Sequence, residues 1–135
     1  MSGKFDFSSG TGSSLQFELG NADLEDWIPT TIKFATPSFS GVTGASIRWG
    51  DFDMLANDLE GSCARLPSSL TFENEEQNID LTIRLNSIGN GKVSAIIRAA
   101  GGDVLLDLET DQAAVRSAAA DLRHALANTG RGHPF

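Results

Sequence analysis

The sequence has one cysteine, two histidines and no tyrosine in 135 residues. One thiol cannot close an internal disulfide, so a small disulfide-stapled secreted scaffold is excluded. One thiol and two imidazoles also fall short of a structural zinc ligand set, and no His-x-x-x-His pair occurs. Nucleophilic catalysis of the Ser/His/Asp or Cys/His kind needs a positioned imidazole. His124 falls near the end of an expected helix and His133 in an expected tail, so no catalytic residue is assigned. Cations are scarce too, with 10 Lys plus Arg against 18 Asp plus Glu and a net charge of -8. That balance argues against a nucleic-acid binder and against adsorption on an anionic membrane. No apolar stretch is long enough to cross a bilayer, and the opening Met1 to Phe7 lacks the apolar run of a secretion signal. The expected location is the cytoplasm.

What is present is strand period, then helix period, twice over. Phe5 and Phe7 share one face of a short strand, and Ser8 to Ser14 is rich in turn residues. Leu15, Phe17 and Leu19 alternate with polar residues, and Ile28, Thr30, Ile32 and Phe34 repeat the alternation after an acidic loop from Gly20 to Asp26. Another strand is expected from about Phe39 to Trp49, with Gly41 and Gly44 suggesting a bulge or bend. From Gly50 the spacing of Phe52, Leu55, Leu59, Cys63 and Leu66 becomes helical, with Asp51 as the expected N-cap and Pro67 as the stop. Cys63 on that stripe reads as a small buried hydrophobe.

The second half repeats the plan. Leu70 and Phe72 open a strand, and Ile79 to Leu85 alternates cleanly. Gly89-Asn90-Gly91 supplies a hairpin turn, Val93, Ala95 and Ile97 continue, and Gly101-Gly102 turns again into Val104, Leu106 and Leu108. A closing helix runs from Asp111 to about Ala127 on a stripe of Val115, Ala118, Leu122 and Leu126, capped by Thr110 or Asp111. Arg123 and His124 stand near its negative end. The expected class is α+β, antiparallel strand meanders with two amphipathic helices in the order strands, helix, strands, helix. One domain spans 1–135, with an ordered core from about 4 to 128 and a loose tail over 129–135.

Carboxylates gather at Asp23, Glu25 and Asp26 and again at Glu73, Glu75 and Glu76. Neither cluster has the alternating oxygen frame of a calcium loop, so no metal is expected. Gly89-Asn90-Gly91-Lys92 lacks the spacing of a phosphate-binding loop and leads into a strand, and Gly10 and Gly12 carry no fingerprint. No cofactor is expected. Acidic chains supply carboxylate pairs by chance, and the separation that decides glycoside chemistry is not a sequence property.

The order of several short motifs resembles a known family. Asp26-Trp27-Ile28 opens a strand, Phe39-Ser40-Gly41 follows, and Asp53 to Leu59 carries a Phe/Leu helix stripe. Leu70-Thr71-Phe72 then leads into Glu75-Glu76, the Ile79 to Leu85 strand, Gly91-Lys92-Val93 and Leu106-Asp107-Leu108-Glu109-Thr110-Asp111-Gln112. From Leu15 to Leu126 the pattern is similar to the WapI family of bacterial immunity proteins. That resemblance implies a cognate antitoxin that binds a polymorphic toxin domain, in the founding case a tRNA-degrading nuclease, and blocks it without chemistry. A protein partner with a basic surface is therefore expected, since opposite charges steer encounter. The candidate partner-binding residues are Asp23, Glu25, Asp26, Glu73, Glu75 and Glu76. The alternative is a structural or self-associating domain of the same fold with another protein partner.

Overall fold

In a computed structural model, residues 3–99 and 101–130 are described. Strands β1 (Lys4–Ser8), β2 (Ser14–Leu19), β3 (Trp27–Ala35) and β4 (Ser40–Arg48) precede helix α1 (Trp49–Ala64). Strands β5 (Ser68–Glu73), β6 (Ile79–Leu85), β7 (Asn90–Ala99) and β8 (Gly102–Asp111) precede helix α2 (Gln112–Ala127). Each set of four strands forms one sheet in sequence order, every neighbour antiparallel. The strands-helix-strands-helix α+β class stands as expected. No helix among the described residues is long and apolar enough to cross a membrane.

Alternation in sequence becomes alternation across each sheet, because successive strand side chains point to opposite faces. In the first sheet Phe5 pairs with Phe17 and Phe17 with Ile32, while Phe7 pairs with Leu15 and Leu15 with Phe34. In the second, Leu81 pairs with Ala95 and Ala95 with Leu106, and Ile83 with Val93 and Val93 with Leu108. All of these residues are buried.

The helices do not each close their own meander. α1 packs against β4 and also β5, while α2 packs against β8 and also β1. Phe52 shows how this joins the sheets. Its ring lies edge-on to Phe5 of β1 at 6.0 Å and stacks with Phe72 of β5 at 6.1 Å. One core cluster therefore includes residues of both sheets and both helices. Leu59 is fully buried in it. Leu59→Ala is expected to cost about 2–5 kcal/mol, the range for emptying a leucine site; equal denaturation midpoints for variant and parent would refute the placement.

Several local expectations change. Asp51 is not the N-cap: α1 begins at Trp49, its cap position is Arg48, and no side chain caps it. The Trp49 N–H instead donates to the Asp26 carbonyl at 2.8 Å, so a tertiary bond replaces a local cap. Asp51 sits in the first turn, where its charge still suits the helix dipole. At the other end Leu66 lies beyond the helix, which stops at Ala64, yet it packs on the core. On α2 the choice resolves to Asp111, whose carboxylate accepts from the Ala114 N–H at 2.8 Å.

β3 and β4 pair without a break from Trp27↔Arg48 to Ala35↔Ser40, so Gly41 and Gly44 mark no bulge. Gly41 faces Phe34, whose ring lies 2.5 Å from where a β-carbon would be. The hairpin before β7 also turns earlier than expected. Asn86 Oδ1 accepts from the Ile88 and Asn90 N–H groups, Gly89 takes φ +90°, and Asn90 and Gly91 already belong to the strand.

Arg123 does more than sit near a helix end. It crosses from α2 to α1, bonding Asp53 at 2.6 Å, Glu60 at 3.2 Å and Asn57. These bonds, Glu60 first and Asp53 second, raise the guanidinium pKa above its ordinary value. Thr129 is fully buried, its hydroxyl donating to the Leu126 carbonyl. The expected tail beyond Gly130 lies outside the described residues.

Candidate functional site

The two acidic segments expected to bind a partner occupy the β2–β3 loop and the end of β5 with the turn that follows it. Both are held by a side-chain oxygen that accepts from backbone N–H groups of its own segment. In the first, Asp23 Oδ1 accepts from the Glu25 N–H at 2.8 Å and the Trp27 N–H at 3.0 Å. The Ala22 N–H donates to the Thr129 carbonyl, and the Asp26 carbonyl holds the start of α1. Asp26 takes φ +66°, a conformation Asp tolerates better than most residues. The loop is thus tied to the start of α1 and to the segment that follows α2.

In the β5–β6 turn, Asn74 does the equivalent work. It is buried, and its Oδ1 accepts from the Asn78 N–H at 2.8 Å and the Ile79 N–H at 3.1 Å. Its Nδ2 donates to Asn78 Oδ1 at 2.9 Å. Glu73, Glu75 and Glu76 project from this locked segment and are exposed.

Arg48 brings the two segments together. It pairs with Trp27 across β3 and β4, and its guanidinium carbon lies 4.3 Å from the centroid of the Trp27 ring. Its Nε donates to Glu75 Oε1 at 3.1 Å. The chain from Asp26–Trp27 through Arg48 to Glu75 makes one acidic end of the molecule from two distant stretches. Glu73 faces Arg98 at 3.9 Å, and the Arg98 guanidinium also donates to the Gln77 carbonyl at 3.2 Å. Glu76 lies on a shallow groove of about 730 Å³ beside β2, β3 and β4, with Glu18 on the same groove.

The six carboxylates differ in what they can offer. Asp23 is committed to its own loop, Asp26 is half-buried, and Glu73 and Glu75 have cationic neighbours. Glu25 and Glu76 are exposed and form no ion pair among the described residues. Between Asp23 and Glu25 stands Leu24, with its whole side chain in solvent at 104% relative exposure. It was not among the expected site residues. An apolar residue inside an acidic loop, with no strand or helix partner in period, is the signal that points to it.

Elsewhere the chemistry is quiet. Cys63 is buried on α1, where burial pushes its thiol above the ordinary pKa and away from the nucleophilic thiolate form. His124 lies in the last turn of α2, and His133 is outside the described residues. Among the described residues, no group of three or more His, Cys, Asp and Glu is placed to hold a metal ion.

Comparison with known proteins adds a family and a fold. Residues 6–130 match the Immunity protein WapI-like family. No curated protein matches the chain. Among solved structures, a chain of the crystal structures of trypanosoma bruciei MRP1/MRP2 is similar with a TM-score of 0.57 and 13% identity. The likeness covers 98% of this chain and 90% of that one. At that identity it speaks for a common fold only.

Proposed function

We propose, from the premise that the chain belongs to the Immunity protein WapI-like family, that it neutralises a cognate polymorphic toxin by binding it. The protein acts as a stoichiometric inhibitor without chemistry of its own, and its partner is a toxin domain with a basic surface. The observation that carries the reading beyond the family is the acidic end assembled by Arg48. Two hydrogen-bonded segments there carry several carboxylates, and one of them exposes Leu24 between Asp23 and Glu25. A nuclease toxin fits this chemistry, because the groove that holds RNA phosphates must be basic. A preformed anionic surface enters such a groove without first ordering a mobile loop, which lowers the cost of association.

The test is to titrate this chain against a candidate toxin domain, sought first among the products of the genes beside its own. A complex of equal stoichiometry, with toxic activity lost in proportion to the chain added, is the expected result. Loss of toxicity at far below equimolar chain would indicate catalytic inactivation and overturn the inhibitor reading. Absence of a complex, with toxicity unchanged, would overturn the immunity reading for that partner.

A further inference from the structure

The outer face of the second sheet carries a feature unrelated to the acidic end. Arg84 of β6 and Lys92 of β7 stand directly opposite each other, both exposed. Like charges facing each other across a strand pair are destabilising. It is the one cation–cation pair in the register of the described strands. Neither side chain makes an ion pair among the described residues, as is also true of Lys4, Arg65 and Arg116, whereas Lys33, Arg48, Arg98 and Arg123 do. On its other side Lys92 stands opposite Glu109 of β8, without an ion pair between them, so Arg84 is the cation of the two with no carboxylate opposite it.

On the side away from Glu109, the polar side chains beside the pair can donate. Arg84 and Lys92 line a depression of about 450 Å³ together with Ser69, Thr82 and Asn86, and no carboxylate lines it. The Ser69 and Thr82 hydroxyls have no hydrogen-bond partner among the described residues. Asn86 uses its carbonyl oxygen to hold the hairpin, which leaves its amide N–H groups free to donate. Ser94, also in the depression, is already bonded to Asp107 at 2.7 Å and is not counted.

We infer that this depression binds a compact phosphate group, free or as a small monoester. The guanidinium offers the planar fork that matches two phosphate oxygens, the ammonium a point charge, and the hydroxyls and amide complete the shell. The surroundings set the size of the ligand. Glu73, Asp80, Asp103, Asp107 and Glu109 occupy the same outer face by strand register. A long polyanion would have to run over those carboxylates, whereas one phosphate fits within the donor set. Binding also offsets the repulsion between Arg84 and Lys92.

The experiment is backbone-amide NMR of the whole chain titrated with inorganic phosphate, with chloride matched for ionic strength. Parallel titrations use glycerol 3-phosphate and a single-stranded oligonucleotide. Saturable shifts confined to the neighbourhood of Ser69, Thr82, Arg84, Asn86 and Lys92 are expected with phosphate and not with chloride. The stronger of the phosphate and monoester arms identifies the source. R84Q/K92Q is expected to lower affinity about tenfold or more, since charge-assisted bonds are the strong ones. Its melting temperature should be unchanged or slightly higher, because the repelling pair is gone. Shifts that scatter over the surface, that appear equally with chloride, or that survive in R84Q/K92Q would overturn the site. Tighter binding of the oligonucleotide than of phosphate would overturn the ligand class.

Discussion

Phe52→Ala is expected to destabilise the protein by about 3–5 kcal/mol, the range for emptying a buried phenylalanine site. The upper part of that range applies for a geometric reason. Phe52 has no solvent exposure and lies between Phe5 of one sheet and Phe72 of the other. Each aromatic contact is worth about 0.5–1.5 kcal/mol beyond the area it buries. The walls of the resulting cavity belong to strands of two hydrogen-bonded sheets, which cannot move inward singly without breaking their ladders. Collapse is therefore poor, and the cavity term is large. A domain of this size is stable by about 5–15 kcal/mol in all, so the substitution removes a large share. In urea the midpoint should fall by about 2 M with the slope unchanged, given slopes of about 1–3 kcal/mol per molar. Phe52→Leu should lose distinctly less, because it leaves much of the volume filled. A loss under about 1 kcal/mol for Phe52→Ala would mean that α1 does not join the two sheets.

How the sheets and helices share one core is the part of the fold that periodicity could not express. Ile79 to Leu85 declares a strand because every second residue is apolar, and the inner face follows directly. The spacing of Phe52, Leu55 and Leu59 likewise declares a helix and its buried side. Nothing in that spacing says that Phe52 will meet β1 and β5. Local rules also failed where a distant group intervened. Asp51 has the chemistry of an N-cap, but the Trp49 N–H was already satisfied by the Asp26 carbonyl, so the helix began earlier. Gly41 suggested a bulge, whereas the glycine makes room for the ring of Phe34 on the paired strand. The hairpin glycines were misassigned by register. Only Gly89 takes positive φ there, and Gly91 continues the ladder opposite Leu85.

The candidate site divides along the same line. Its carboxylates were legible as composition, since Asp23, Glu25, Asp26, Glu73, Glu75 and Glu76 cluster in loops flanked by strand period. Their convergence was not, because it depends on Arg48 reaching Glu75 from the end of β4. That bridge also ranks the residues. Glu75 faces a cation, and Asp23 holds its own backbone, so neither is a clean source of external field. Glu25 and Glu76 are.

Reversing those two charges is accordingly expected to act on association, and truncating the leucine between the acidic residues on dissociation. With a toxin domain that the parent binds as analyte, E25K/E76K should slow association about tenfold at low salt and flatten its dependence on ionic strength, because exposed charges steer encounter. Its dissociation rate should stay near that of the parent, and so should its melting temperature, since exposed charges contribute little to stability. Glu75→Lys is expected to do less to the association rate, as it removes a charge that Arg48 already faces. Leu24→Ala is the larger perturbation. Leu24 is wholly exposed in the free chain, so its truncation leaves no cavity and should not change stability. If the side chain enters an apolar pocket of the partner, a central anchor of about 2 kcal/mol is lost, or about thirtyfold in affinity. That loss should appear almost entirely as faster dissociation, with association unaltered. The two variants thus separate two physical roles at one end of the molecule, charge for approach and a leucine for residence. Binding by both variants at the parent's rates would move the interface away from this end while leaving the family's inhibitory role untouched. Failure of the parent to bind would instead remove the partner assignment itself.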